Sequence, residues 1–373
     1  MKFLLIVGTR PEAIKMSSVC RSLRAVSGFE TEICFTGQHQ ELVSPMLDLF
    51  QMKPKFTLAS MKPGQSLSEL TSSLFQGISS VITEYKPDGI LVQGDTTSVF
   101  VGGVCGFYQK IPVFHVEAGL RTGDLTSPFP EEANRRLVSE ITSLHFAPTE
   151  GAKLALLNEG FKAETVEVTG NTGIDATHLA VRALEKGEWK PKTPAPKTPF
   201  ILVTLHRRES QATGITAVSK ALDRISEKHG LPIIFPVHLN PQVRDVVFRE
   251  LSPTGERIQL VEPMDYASFM DHLRSARIIV TDSGGIQEEA TALGKAIVIA
   301  RDNTERPEVL NSPLCKIAGT TEEGIVQATE ELLSSRAVPT TEQKNSFGDG
   351  QASERIVKRL RSYYENLGRI TRV

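Results

Sequence analysis

Thr281-Asp282-Ser283-Gly284-Gly285-Ile286-Gln287-Glu288-Glu289-Ala290 follows directly on the apolar run 276–280. A short buried strand that ends in Ser-Gly-Gly and opens into a helix aims unpaired backbone N–H groups at one point, at the positive end of the helix dipole. That is a seat for a phosphate. It has neither the Lys of a Walker A loop nor the GxGxxG spacing of a dinucleotide fold, which argues against a hydrolysed triphosphate or a nicotinamide cofactor. A nucleotide-sugar diphosphate becomes the leading ligand class.

Working outward, short apolar runs alternate with longer amphipathic stretches, as they do where parallel strands are covered on both faces by helices. The runs are 3–7, 31–35, 89–92, 112–116, 145–147 and 166–168, then 200–205, 233–237, 258–260, 277–280 and 296–299. The expected fold class is α/β, with two doubly wound Rossmann-like domains facing across a cleft. The Pro-rich segment 186–199 reads as an exposed loop near the boundary. In open parallel sheets ligands sit beyond the carboxyl ends of the strands. There the sequence places Gly8-Thr9-Arg10, Gly94-Asp95, Glu117, His206-Arg207-Arg208, His238, Asp282-Ser283 and Arg301-Asp302.

Composition narrows the partners. The 373 residues carry 42 Lys and Arg against 44 Asp and Glu, a formal net charge of -2, which offers no general attraction for nucleic acid or an anionic membrane. Cys20, Cys34, Cys105 and Cys315 are scattered and read as reduced core residues, without the spacing of a zinc site. No run approaches the length of a membrane span and the first residues do not read as a leader, so the expectation is a cytoplasmic protein. No metal and no organic cofactor is implied.

Several constellations carry chemistry. Pro11 suits the first helical position, and Arg10 and Lys15 then project near the same helix end, as cations for a phosphate or as surface charges. Asp95 is either an acid or base at the rim or the N-cap of the next helix. His115 and Glu117, two apart, are expected on one face of a strand. Glu131 and Glu132 fall in a helix first turn, where acids complement the dipole, yet the charges near Glu117 favour a chemical role for at least one. His206 can exchange a proton near neutrality while Arg207 and Arg208 hold a diphosphate beside it. His238 is a weaker candidate, and Arg306 either binds substrate or pairs with its acidic neighbours.

Taken together, GTRPEAIKM (8–16), QGDTTS (93–98), HVEAGLRTGD (115–124), SPFPEEANRR (127–136), VTGNTGIDA (168–176), HRRES (206–210), PVHLNP (236–241), TDSGGIQEEA (281–290), RDNTERPE (301–308) and GDGQASERI (348–356) span nearly the whole chain in order. In this the chain resembles the non-hydrolysing UDP-N-acetylglucosamine 2-epimerase family, which has the two-domain GT-B fold. The resemblance implies UDP in the second domain, with Ser283, Gly284 and Gly285 around the phosphates and Glu289 on the ribose hydroxyls. It implies Arg10 near the nucleotide, and Lys15, Asp95, Glu117, Glu131 and His206 around the sugar. It places the domains at 1–170 plus 354–373 and at 171–353, and implies a homodimer. Gln38, Glu131 and His238 match a region where some members bind substrate as an activator, but Gly64 offers no side chain where some of them carry an arginine.

The reaction so implied is reversible epimerisation at C2 of UDP-N-acetylglucosamine to UDP-N-acetylmannosamine, supplying sugars for cell-surface polysaccharide. Elimination of UDP across C1 and C2 gives a glycal, and re-addition delivers the proton to the opposite face. Which of Asp95, Glu117 and Glu131 is the base stays open. A GT-B glycosyltransferase would share the nucleotide half but need an acceptor site, a hydrolysing epimerase would admit water to the glycal, and a UDP-sugar sensor would need few acid-base groups.

Overall fold

The computed structural model describes residues 1–38, 40–62, 64–205, 212–237, 241–251, 257–304 and 306–368. The chain forms two compact units, Met1–Ala176 with Gly348–Val373, and Thr177–Phe347. Each is built on its own parallel sheet.

The first unit's strands are β1 (Lys2–Val7), β2 (Glu30–Phe35), β3 (Phe56–Thr57), β4 (Gly89–Gln93), β5 (Val113–Val116), β6 (Leu144–Ala147) and β7 (Val166–Val168). They lie in the order β3-β2-β1-β4-β5-β6-β7, all neighbours parallel. Strand β1 is buried from Phe3 on because both of its faces are covered. Leu4 and Ile6 join a core with Leu74, Ile78 and Ile82 of the helix Leu67–Tyr85 and Val101 and Cys105 of the helix Thr97–Tyr108. Phe3, on the alternate face as strand periodicity requires, meets the Tyr364 ring at 5.7 Å. Tyr364 belongs to the helix Ala352–Asn366, so the end of the chain closes the first unit. Asp175 caps that helix, accepting from Ala352 N at 3.1 Å, Ser353 N at 2.8 Å and Ser353 Oγ at 2.7 Å.

The second unit holds β8 (Ile201–Thr204), β9 (Ile233–Pro236), β10 (Ile258–Val261), β11 (Ile278–Thr281), β12 (Ala296–Ile299) and β13 (Cys315–Ile317). Their order is β10-β9-β8-β11-β12-β13, again all parallel. Its core joins Ile201, Val203 and Val280 to Val218, Leu222 and Ile225 of the helix Ala212–His229 and to Ile325 and Leu332 of the helix Glu322–Ser334.

Each expected apolar run is a strand, give or take a residue at the ends. The short edge strands β3 and β13 add to the expectation, since brief, partly polar edges carry little periodic signal. In both sheets the strand order reverses at one place, between β1 and β4 and between β8 and β11. Ligands favour the carboxyl side of such switch points. Arg10 and Asp95 flank the first, and Ser283 follows the strand on one side of the second. All four cysteines are buried, and burial pushes the Cys34 and Cys315 thiols up to about 12. Among the described residues no helix is long and apolar enough to cross a membrane.

Candidate active site

In the first unit the turns after β1, β4 and β5 bring the expected side chains together. The helix Arg10–Arg24 is capped by Thr9, so Arg10 rather than Pro11 is its first residue. Pro11 still lies in the first turn, where its missing N–H costs nothing. Lys15 stands one turn further on, and its Nζ donates to Glu117 Oε1 at 2.5 Å. The other carboxylate oxygen accepts from Gln93 Nε2. The pair is well shielded, with side-chain exposures of 19% for Lys15 and 7% for Glu117. The Lys15 stem runs beside Gly173, where an added Cβ would lie 3.6 Å from Lys15 Cε.

Glu117 does not share a strand face with His115, contrary to the spacing argument. β5 ends at Val116, and Glu117 takes a left-handed φ of 64°. Positive φ is uncommon outside Gly, Asn and Asp, and it swings the carboxylate out of the strand's alternation. His115 remains in the sheet, fully buried, with Nε2 bonded to Gly94 O at 2.7 Å, and burial pushes its imidazole down to about 4. It therefore holds the Gly94 turn as a neutral ring.

Asp95 is not a helix cap, because Thr96 takes that place on the helix Thr97–Tyr108. Its carboxylate is held instead by the guanidinium of Arg135. Asn134 Nδ2 donates to the Asp95 carbonyl at 3.0 Å. Arg135 also reaches Glu132 at 2.9 Å, and Glu132, fully buried, accepts from Thr122 N at 3.1 Å. Glu131 heads the same helix, Glu131–Glu140, half-buried, and among the described residues it makes no ion pair. Arg10 is likewise half-buried at its helix end. Gln38 lies buried where the loop after β2 meets the others, accepting from Ser98 Oγ at 3.1 Å.

In the second unit β11 runs through Asp282 into the helix Gly284–Ala292, with Ser283 at the N-cap position. Ser283 makes no side-chain cap bond; its own N–H donates to Thr281 Oγ1 at 3.0 Å. The first-turn N–H groups lack partners within the helix. Beside Gly285 an added Cβ would meet nothing within 4 Å, and beside Gly284 it would lie 3.8 Å from the Arg306 guanidinium carbon. Arg306 is oriented by Glu288, a buried residue of the same helix. Among the described residues the result is a helix N-terminus with open space beside Gly285 and a guanidinium alongside, a geometry suited to a phosphate. Glu289 sits on this helix, half-buried. His206, Arg207 and His238 lie outside the described residues.

A family model described as UDP-N-acetylglucosamine 2-epimerase matches residues 21–361. The chain belongs to that family. The UDP-N-acetylglucosamine 2-epimerase of Yersinia pestis is 43% identical over 98% of this chain and 100% of its own length. A crystal structure of the Neisseria meningitidis UDP-GlcNAc 2-epimerase bound to UDP-GlcNAc has a TM-score of 0.87 at 39% identity, covering 97% of this chain and 100% of that one. At 13% identity Acinetobacter baumannii MurG shares the fold alone, with a TM-score of 0.58 over 97% of this chain and 100% of its own. Both units are thus Rossmann-like domains of the GT-B type.

Within this 2-epimerase chain, sequence reasoning passed over Glu12, Gln93 and Arg135 and left Glu132 between a dipole role and a chemical one, whereas all four bond to the site side chains or to the turns that carry them. Two of these had a readable signal. Glu12 stands three residues after Thr9, the capping-box spacing, and Glu132 stands three and four before Arg135 and Arg136, the spacing of helical ion pairs.

Proposed function

We propose that the chain interconverts UDP-N-acetylglucosamine and UDP-N-acetylmannosamine by inverting C2 of the sugar, as the names of its relatives describe for them. The observation that carries the reading is the shielded Lys15–Glu117 pair, bonded also to Gln93, with the second carboxylate of Asp95 fixed by Arg135. The C2 proton is not adjacent to a carbonyl, so simple deprotonation is too costly. In elimination a carboxylate takes that proton, the C2–H electrons form the C1=C2 bond, and the C1–O pair leaves with UDP. Re-addition reverses each transfer with the proton arriving at the other face, so no electrons are gained or lost overall.

The first unit supplies the acid-base groups in this reading, with Glu117 as the base and Asp95 as the second proton carrier. Lys15 holds the Glu117 carboxylate in orientation. The second unit supplies the leaving-group site: the helix N-terminus at Ser283, Gly284 and Gly285 and the Arg306 guanidinium meet the diphosphate, and Glu289 accepts from the ribose. Arg10, Glu131, Arg207 and His206 complete the assignment around diphosphate and sugar, and Gln38 and His238 the regulatory part. A homodimer working in the cytoplasm belongs to the same reading; Phe107 and Tyr108, 54% and 69% exposed on one helix end, offer apolar surface for a second copy. Sedimentation would test that.

Incubation with UDP-N-acetylglucosamine in deuterated water tests the reaction. Both UDP-sugars should appear with deuterium at C2. Epimerised product retaining its original C2 hydrogen would overturn the elimination.

A further inference from the structure

Glu12 is a deeply buried acid beside the site, 2% exposed, and nothing in the chemistry above uses it. Its Oε2 accepts from Gly8 N at 2.5 Å and Thr9 N at 3.1 Å, on the turn after β1. Its Oε1 accepts from Thr96 Oγ1 at 2.6 Å, on the turn after β4. One carboxylate thus ties together the turns on either side of the sheet's switch point. Burial pushes its carboxyl up to about 7, and Asp95 nearby adds to the effect. Such a site for an acid is unfavourable unless its bonds are needed.

The surroundings leave these turns little freedom. A Cβ on Gly8 would fall 2.5 Å from Ser98 Oγ, 2.7 Å from Thr36 Oγ1 and 2.8 Å from Gln38 Oε1, so the backbone is pressed against the segment after β2 and the first turn of the helix Thr97–Tyr108. Thr36 and Ser98 hydroxyls bond each other at 2.8 Å. Thr96 is also the N-cap of its helix, accepting from Val99 N at 3.4 Å, so its hydroxyl has a single proton to give, and it gives it to Glu12. Arg10 and Lys15 follow Glu12's turn, and Asp95 directly precedes Thr96.

We propose that Glu12 and Thr96 form a positioning pair that locks the β1 turn to the β4 turn, fixing Arg10 and Lys15 relative to Asp95, and that its loss lowers turnover rather than substrate binding. This inference rests on the epimerase reading. The pair touches no reacting atom; it acts through the side chains it places.

The test is steady-state epimerisation of UDP-N-acetylglucosamine by the full chain, with UDP affinity by calorimetry. Thr96→Val keeps the shape and removes the donor. It should lower kcat about 10- to 100-fold, the scale of a small misplacement of reacting groups. KM and UDP affinity should stay within about threefold, the pattern of interactions made mainly in the transition state. Thr96→Ser, which restores the hydroxyl, should recover kcat to within about threefold of the parent. A Thr96→Val protein that melts earlier yet keeps its kcat would overturn the proposal, the pair being then only structural. Should Thr96→Val fail to fold, Glu12→Gln is read in the same way, and normal kcat there overturns the proposal equally. A parent protein with no turnover would sink the epimerase reading and this inference with it, whereas parent turnover matched by Thr96→Val sinks this inference alone.

Discussion

Glu117→Gln separates chemistry from architecture at the centre of the site. At 2.5 Å from Lys15 Nζ, a unit charge on Glu117 gains roughly 7 kcal/mol of gross attraction at an effective dielectric of 20. Most of that is offset by the water both groups have given up. Glutamine keeps the volume and one acceptor oxygen, so Lys15 can still donate to it, and Gln93 can turn its amide to accept from the new one. The variant should therefore lose only about 1–3 kcal/mol of stability, the cost of an imperfectly satisfied polar group. Its turnover should fall about 10²- to 10⁴-fold, the usual contribution of a positioned proton acceptor. Chemical denaturation measures the first quantity, and separation of the two UDP-sugars with C2 deuterium uptake measures the second. A double-mutant cycle with Lys15→Met should show a coupling of about 0.5–3 kcal/mol in stability, as residues in direct contact do. If Glu117→Gln turns over within about threefold of the parent, far short of what a proton acceptor contributes, the carboxylate only anchors Lys15 and the base must be Asp95 or Glu131.

Glu289→Gln should weaken UDP binding about tenfold or more, since a charge-assisted hydrogen bond is worth about 1.5–3 kcal/mol; unchanged affinity by calorimetry would make Glu289 structural. His145, opposite His115 in the sheet, is pushed down to about 3 by burial and then by the neighbouring His115 and Arg121. A histidine depressed from 6.5 contributes its stability above that value and loses it as pH falls towards the folded value, so about 2 kcal/mol goes between pH 7 and pH 5. His145→Phe, which keeps a ring against Phe161, should gain that amount relative to the parent over the same interval in urea titrations, and a pH-independent difference would contradict the linkage.

Strand positions were legible because parallel strands covered on both faces must be continuously apolar, and β1, β4, β11 and β12 are. The edge strands β3 and β13 were not, because an edge needs no such run: Lys316 sits in the middle of β13. The rule that strand ends carry the ligands led to Lys15, Asp95 and Glu117 as candidates. Their partners could not be read, since pairing Lys15 with Glu117 or Asp95 with Arg135 depends on how separate turns meet in space. The left-handed backbone at Glu117 had no sequence signal at all, as Glu has no preference for it.

The acids of helix first turns show where residue type stops being informative. Glu131 and Glu132 are identical in kind and adjacent in sequence, and both complement the same helix dipole. One residue along a helix is a rotation of about 100°, so the two must point to different surroundings. Glu132 turns inward to full burial with Arg135 and Arg136 at the next helical turn, while Glu131 stays half-buried outside that network. Only the first can hold Arg135 against Asp95; only the second keeps a carboxylate that no described ion pair engages. Helical phase, not composition, thus divides two like residues into one that supports the site and one still able to act in it. The same reasoning makes Glu12, in the first turn of its own helix, a buried tie between two turns, because its phase turns it under Gly8 and towards Thr96.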